Sequence, residues 1–426
     1  MKKIFAFAII LFIFSAAFGL DFSVRFEPDP RLDASLFGVA EMEAGPFARA
    51  ALLASGAGEE SVEALSARLD NLWQEAVPQV KSIETVEEKA DALLGFVYQK
   101  LLSKYDFYQT RVDLAMEKGV YNCVSSAVLF MYFCKRAGIP VIANECPRHA
   151  FCAIFDGATK IDVETTNPYG VNPGKKRGQI MGNGKTQWIT VPAKDYVGRH
   201  QIDDRRLIGA IYCNRISQLQ KKKLDDQTVG LAVDAYEVQG HSPVARSELE
   251  VCVGNASAIL TRAEKEEEAI AFLKNAEEIF GPSENWTKRL YTNYHNLILT
   301  AIKNDPHDQA LAKLEENKQN LLEKDYRELK EYAYLVGAQA YAKKMDWRTA
   351  IKVAQEGLAE LPQSKKLLNN KNVYAQNLAI DFHNAAVDLF NAGKKDEALG
   401  KIKEGLSELP GDKILLNDLN RITNAK

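Results

Sequence analysis

A cysteine, a histidine and two acidic residues follow one another along a short stretch of this chain. Cys123 stands at the start of an almost entirely apolar segment with a helical pattern, and His149 comes after that segment ends. Asp162 and Glu164 then lie on a predicted strand. A thiol becomes a nucleophile when a base removes its proton, and the base works best when a carboxylate holds its ring in place. The pattern therefore indicates a cysteine nucleophile, a histidine base and an acidic residue that orients the base.

The first turn of the predicted helix should place Cys123 where a thiolate is favoured. Asn122 is a good N-cap, Gly138 suits the position just beyond a helix end, and Pro140 follows where the helix has stopped. Unpaired N–H groups and the positive end of the helix dipole favour a thiolate there, and the same groups can hold an oxyanion. The backbone N–H of Cys123 is the one oxyanion donor that the sequence suggests.

The residues after this helix predict a hairpin that returns the histidine to the thiol. Asp156-Gly157 is typical of a two-residue turn between two apolar strands. In that register Glu164 faces His149 directly, and Asp162 faces Phe151, one diagonal step away on the same side. Both acids are therefore candidates for orienting the imidazole.

Other interpretations of these residues stay open. A buried cysteine in an apolar helix is often only a small hydrophobic side chain, as we expect for Cys134. Cys146, His149 and Cys152 are spaced by threes and, with Cys123, form an alternative zinc set. Side chains three residues apart on a strand alternate faces, so we expect no metal and no cofactor. Cys146 and Cys152 could instead form a disulfide that braces the loop around His149.

The stretch from about Ala90 to Gly170 resembles the transglutaminase-like cysteine enzymes, which are papain-like in their chemistry. The residues that carry the resemblance are Asn122-Cys123 with its helix, His149-Ala150-Phe151 and Ile161-Asp162. The resemblance implies an α+β domain in which a cysteine at a helix start meets an antiparallel hairpin that carries His and Asp.

By position, the resemblance assigns Cys123 as nucleophile, His149 as base and Asp162 as the orienting acid. Glu164-Thr165-Thr166 is similar to the family's Asp-Pro-Thr ending, so Glu164 stays the alternative. These roles predict an amide hydrolase or an acyl transferase that forms a thioester on protein or cell-envelope peptide. The sequence does not separate hydrolysis from transamidation. The competing hypothesis is an inactive fold of the same type that serves, with the C-terminal repeats, as a protein-binding module.

The N-terminus has the pattern of a secretory signal peptide over residues 1–19. Lys2-Lys3 precede an apolar run from Ile4 to Phe14, and small residues lead up to Gly19. We therefore expect an exported protein, periplasmic or extracellular, with a membrane contact only if this segment is not cleaved. A net charge of -3 argues against a general nucleic-acid binder.

The rest of the chain divides into three predicted parts. Residues 20–60 alternate apolar patches with Pro and Gly and form an irregular lead-in. Residues 61–200 would hold the cysteine-enzyme domain, with a loop rich in Gly, Pro and Asn after residue 167 and a further strand at 188–191. Residues 205–426 would form an all-α domain of helical repeats.

The repeats rest on a segment that occurs twice. Glu356 to Pro362 recurs as Glu404 to Pro410, each after a similar helical pattern. Alanine where two helices would cross and proline after the second helix resemble the tetratricopeptide repeat, a helical pair of about 34 residues. Extra residues at 363–378 predict a lengthened helix. The resemblance implies a surface that binds a protein partner.

Overall fold

The structure, a computed structural model, describes residues 12–14, 22–147, 149–173 and 196–424. Most of the predicted signal peptide, part of the predicted loop after residue 167 and the strand predicted at 188–191 lie outside these residues. Within the part of the chain that is described, no helix combines the length and the apolar character needed to span a bilayer.

The chain divides into two compact units. The first comprises Met1–Arg262 and Leu273–Trp286, and the second comprises Ala263–Phe272 and Thr287–Lys426. The domain limits inferred from the sequence stay a prediction.

The predicted α+β, transglutaminase-like fold class is wrong. Helices make up 68% of the chain, and the strands of the described residues form only two short pairs and one four-stranded sheet. The prediction applied the sequence pattern of one hairpin to a whole domain. A hairpin pattern reports only on the residues that pair, whereas most of the surrounding core is supplied by helices.

Helices dominate the first unit. Its helices are α1 (Ala44–Ser55), α2 (Glu59–Val80), α3 (Val86–Lys100), α4 (Val112–Lys118), α5 (Cys123–Arg136), α6 (Asp204–Lys221), α7 (Thr228–Val238) and α8 (Pro243–Arg262). Helix α5 is buried along nearly its whole length and packs against α1, α3, α4 and α6. A helix that is apolar on all sides becomes part of the core rather than its cover. The N-terminus of α5 is thus held firmly in place.

The strands of the first unit supply the second half of the site. They are β1 (Phe12–Phe14), β2 (Phe22–Val24), β3 (Lys104–Tyr105), β4 (Val120–Tyr121), β5 (Val141–Cys146), β6 (His149–Asp156), β7 (Thr159–Val163) and β8 (His200–Ile202). The larger sheet has the order β7-β6-β5-β8 and is antiparallel throughout. Strands β5 and β6 also contact α5. The sheet therefore brings the start of β6 near the start of α5.

The turn between β6 and β7 lies one residue further along than the sequence predicted. Asp156 pairs with Thr159, so Gly157 and Ala158 form the turn. Gly157 takes a φ of 56°, the positive value that the first position of a tight hairpin turn requires. Moving the turn by one residue shifts the pairing between β6 and β7 by two positions. A shift of two keeps each side chain on its predicted face of the sheet.

The second unit is helical in its described residues. Helices α9 (Glu266–Phe280) and α10 (Glu284–Asn304) contain the divisions between the units, and α11 (His307–Glu316), α12 (Glu323–Ala342), α13 (Trp347–Glu360), α14 (Lys365–Asn391), α15 (Lys395–Glu408) and α16 (Lys413–Asn424) follow. From α11 onward each helix packs against the next. Helix α14 has 27 residues and contains the lengthened segment that the sequence predicted.

The duplicated sequence marks two equivalent close approaches between helices. A Cβ on Gly357 would stand 2.7 Å from the Cγ of Tyr334, and a Cβ on Gly405 would stand 2.8 Å from the Cγ of Phe382. Contacts that short do not occur between real side chains, so each site requires glycine. The repeated glycine is thus explained by packing against an aromatic ring of the preceding helix.

Candidate functional site

Asn122 starts helix α5 through a reciprocal capping arrangement. Its side-chain oxygen accepts hydrogen bonds from the N–H groups of Val124 at 3.0 Å and Ser125 at 3.1 Å. Its own N–H donates to Ser125 Oγ at 3.0 Å. Cys123 is the first helical residue, and its N–H has no acceptor among the residues that the structure describes. That group is therefore available to an oxyanion, as the sequence suggested.

His149 opens strand β6, and its ring connects the thiol to a carboxylate. Its Nε2 lies 2.8 Å from Glu164 Oε2. The thiol of Cys123 lies close enough to the same ring to help raise the pKa of His149, and both residues line one cleft. Because Glu164 occupies Nε2, Nδ1 is the nitrogen left for the sulfur. The structure thus brings Cys123, His149 and Glu164 into one connected set.

Asp162, which the resemblance favoured as the orienting acid, lies apart from this set. Its carboxylate pairs with Arg199, at 2.7 Å to Nη1 and 3.2 Å to Nη2. The Asp162 side chain is 33% exposed, whereas that of Glu164 is 8% exposed. In the observed register Asp162 stands opposite Ala153, about 13 Å along β6 from His149. The carboxylate that reaches the imidazole is the alternative, Glu164.

Glu164 is held ionised by the groups around it. Thr166 donates to its Oε1 from the backbone N–H at 3.1 Å and from Oγ1 at 2.6 Å. The Tyr196 hydroxyl donates to Oε2, beside His149. Burial alone would raise the pKa of Glu164, but the bonds from His149, Thr166 and Tyr196 outweigh it and hold that pKa below its ordinary value.

Cys123 and Glu164 together determine the charge state of His149. Burial alone would lower the pKa of His149, but the hydrogen bonds to Cys123 and Glu164 and the negative charge of Glu164 raise it to about 10. The ring also stacks on Phe151, with 6.2 Å between ring centroids, and meets the ring of Tyr196 edge to face at 5.8 Å. An imidazolium in this place can stabilise a thiolate next to it.

A further group of side chains fixes the segment that carries Glu164. The Tyr98 hydroxyl donates to the Thr165 carbonyl at 3.0 Å and lies 3.0 Å from the Tyr121 hydroxyl. Ser126 Oγ lies 3.0 Å from Thr165 Oγ1. Helices α3 and α5 are thereby tied to the residue next to Glu164. Sequence reasoning missed these contacts, and it missed Tyr196 because that residue lies more than 30 positions after Val163, the last residue of the hairpin.

A cleft of about 290 Å³ gives access to Cys123 and His149. The start of α5 and the turn between β5 and β6 line one part of it. The other walls are Phe107 and Tyr108, between β3 and α4, and one face of α6. The volume is at the lower end of the range for small-molecule sites.

The zinc set and the disulfide weighed from the sequence find no support. The Sγ of Cys152 approaches the Ala127 carbonyl of α5 at 3.9 Å, on the face of β6 opposite to His149. No group of three potential ligands that could hold a metal ion occurs in the described ranges. No disulfide joins cysteines among the described residues, and in the register of β5 and β6 Cys146 stands opposite His149, whereas Cys152 stands opposite Ala143.

Comparisons with known proteins add no functional information. No protein-family model and no curated protein matches the chain. Among solved structures, a crystal structure of menin, described as revealing the binding site for the Mixed Lineage Leukemia (MLL) protein, aligns with 78% of this chain and 91% of its own. The identity is 13% and the TM-score 0.29. A TM-score that low does not show a common fold.

Proposed function

We propose that this protein is a thiol-dependent amide hydrolase or acyl transferase. Cys123 is the nucleophile, His149 the base and Glu164 the acid that orients it. The observation that supports the proposal is the arrangement of these three side chains. A buried and multiply bonded carboxylate holds the imidazole, and the Cys123 thiol lies close enough to help raise the pKa of that ring. The substrates expected from the sequence are protein or cell-envelope peptides.

Acylation starts from the charged pair in which Nδ1 of His149 already holds the proton of the Cys123 thiol. The sulfur of Cys123 attacks the carbonyl carbon of an amide, and the carbonyl electrons move to oxygen. The Cys123 N–H donates to that oxyanion at the positive end of α5. When the tetrahedral intermediate collapses, the carbon–nitrogen bond breaks and His149 returns the proton to the leaving amine. The product is a thioester on Cys123.

Deacylation uses the same groups in reverse. His149 removes a proton from water or from an incoming amine, which attacks the thioester and releases the thiol. Water gives a carboxylic acid and completes hydrolysis, and an amine gives a new amide. In both steps the carboxylate of Glu164 keeps the proton-bearing Nε2 directed toward itself, so that Nδ1 faces the sulfur.

The proposal is tested by acylation with p-nitrophenyl acetate in rapid mixing. We expect a burst of about one p-nitrophenolate per chain, followed by slower turnover, because an acetylated thiol accumulates. Cys123→Ser should abolish the burst, and His149→Gln should slow it by about 10²-fold or more. Added glycine amide then separates the two outcomes, since a transferase forms the acetylated amine and a hydrolase forms acetate.

Cys213 supplies the matched control. It lies in the same unit, and burial raises the pKa of its thiol to about 11, so Cys213→Ser should leave the burst unchanged. A burst that survives Cys123→Ser, or a Cys123 thiol that reacts no faster than Cys213, would overturn the proposal. The binding-module alternative would then be preferred. Export, and partner binding by the second unit, stay predictions from the sequence.

A further inference from the structure

One wall of the cleft beside Cys123 consists of polar side chains that recur at helical spacing. Asn214, Ser217, Gln218 and Lys221 all lie on α6 and line the cleft. Their spacing of three, four and seven residues places them on one face of the helix. This wall is not used in the chemistry proposed above.

The side-chain amides of Asn214 and Gln218 donate hydrogen bonds through their nitrogens, and no acceptor role is taken by their oxygens among the described residues. Asn214 Nδ2 donates to Thr110 Oγ1 at 3.1 Å, and Gln218 Nε2 donates to the Tyr108 carbonyl. Each side chain therefore presents its carbonyl oxygen as an acceptor, which suits the N–H groups of a peptide.

Among the charged side chains of the cleft, Lys221 has no described carboxylate as an ion-pair partner. Glu145 is neutralised by Arg206, with Nε 2.9 Å from Oε2 and Nη2 3.0 Å from Oε1. His149 is matched by Glu164. Lys221 has no carboxylate partner among the described residues, and its ammonium group lies 4.8 Å from the centroid of the Tyr108 ring. Lys221 thus brings to the cleft a positive charge that is not paired with any described carboxylate.

We propose that the acyl donor is a peptide that carries a carboxylate, and that Lys221 binds this carboxylate while the oxygens of Asn214 and Gln218 accept from its N–H groups. The exposed rings of Phe107 and Tyr108 line the same cleft and offer apolar surface to the peptide. The carboxylate is either an acidic side chain or a free C-terminus. This inference rests on the proposed function, because it takes Cys123 as the place where the acyl group docks.

Binding is measured without turnover, in the full-length protein with Cys123→Ser. Three N-terminally dye-labelled peptides differ only at their last residue: Gly-Gln-Gly-Glu amide carries a side-chain carboxylate, Gly-Gln-Gly-Gln acid a terminal one, and Gly-Gln-Gly-Gln amide neither. Fluorescence anisotropy gives each dissociation constant. We expect at least one carboxylate peptide to bind about threefold tighter than the neutral one at low salt, with the advantage reduced at high salt.

Lys222, which does not line the cleft, supplies the matched control. The carboxylate advantage should vanish in Lys221→Gln and persist in Lys222→Gln. No advantage for either carboxylate, an equal advantage in Lys221→Gln, or no binding of any peptide would each overturn the inference. Because these variants cannot form a thioester, their result is separate from the acylation test of the proposed function.

A second measurement uses the native thiol. The rate of Cys123 alkylation by iodoacetate, divided by the rate with neutral iodoacetamide, reports the charge of the cleft. We expect this ratio to fall about twofold to threefold in Lys221→Glu and to stay unchanged in Lys222→Glu. Equal ratios in the two variants would show that Lys221 does not set the charge that an incoming carboxylate meets.

Discussion

Each of the two units places a histidine in different surroundings. In the first unit His149 lies between Cys123 and the ionised Glu164, and its pKa is raised to about 10. In the second unit His307 packs against the ring of Tyr334, at 5.3 Å between centroids, and burial lowers its pKa. The thiol and the carboxylate beside His149 thus make the difference between a charged and a neutral imidazole. A buried histidine indicates chemistry only where an acid compensates its charge.

The same contrast separates the other features of the two regions. Around Cys123 the buried polar groups form one bonded network, which includes Asn122, Ser126 and Glu164. In the second unit the duplicated segments each contain a glycine that packs against an aromatic ring. Buried polar groups that hydrogen-bond one another characterise the candidate site. The duplicated sequence instead reflects close packing between helices.

The largest expected effect distinguishes Glu164 from Asp162 in the first unit. Glu164→Gln keeps the shape of the side chain but removes the charge that holds His149, so we expect acylation of Cys123 to slow by about 10²-fold or more. Asp162→Asn, which removes only an exposed pair with Arg199, should change the rate by less than about twofold. The measurement is the burst rate with p-nitrophenyl acetate. Equal losses in the two variants would contradict the assignment of Glu164.

The next effect tests the packing role of the duplicated glycines. In α15, Gly405→Ala would force a Cβ against Phe382 and should destabilise the second unit by about 1–3 kcal/mol. Gly400→Ala, in the same helix, meets nothing within 4 Å and should stabilise it by up to about 1 kcal/mol. Denaturant unfolding of the full-length variants measures both. If the two substitutions have the same sign, the duplicated glycine is not explained by close approach.

A smaller effect compares the two histidines as pH changes. The folded pKa of His149 is raised, so its contribution to stability is complete below about pH 6.5 and is lost as pH rises through about 10. The folded pKa of His307 is lowered, so its neutral form is favoured and stability is lost as pH falls below about 6.5. Hydrogen exchange of α5 and α12 at several pH values reports each unit separately.

Substitution of each histidine identifies its contribution to these pH profiles. His149→Gln should flatten the alkaline loss of protection in α5, and His307→Gln should flatten the acidic loss in α12. Each variant should leave the other unit's profile unchanged. Parallel profiles in the two units would show that the opposite environments of the two rings do not control stability.

Part of the site could be predicted because it depends on neighbours in sequence. Asn122 caps α5, and Gly138 takes a φ of 68° just beyond its end, as the residue types indicated. The order Cys123, His149 and an acid was also sufficient to find the connected set. The preference for Asp162 over Glu164 came from the resemblance, whereas in the structure Asp162 pairs with Arg199 and Glu164 reaches His149.

The sequence by itself determined where α5 begins and ends, which residues carry the thiol and the imidazole, and where the helical segments recur. Hydrogen bonds and dihedral preferences within a few residues decide such features. Only the tertiary structure decided that Glu164 reaches His149, that Tyr196 joins them, and that helices rather than strands form most of the molecule. Those outcomes depend on strand register and on contacts between residues far apart in the chain, which local preferences do not fix.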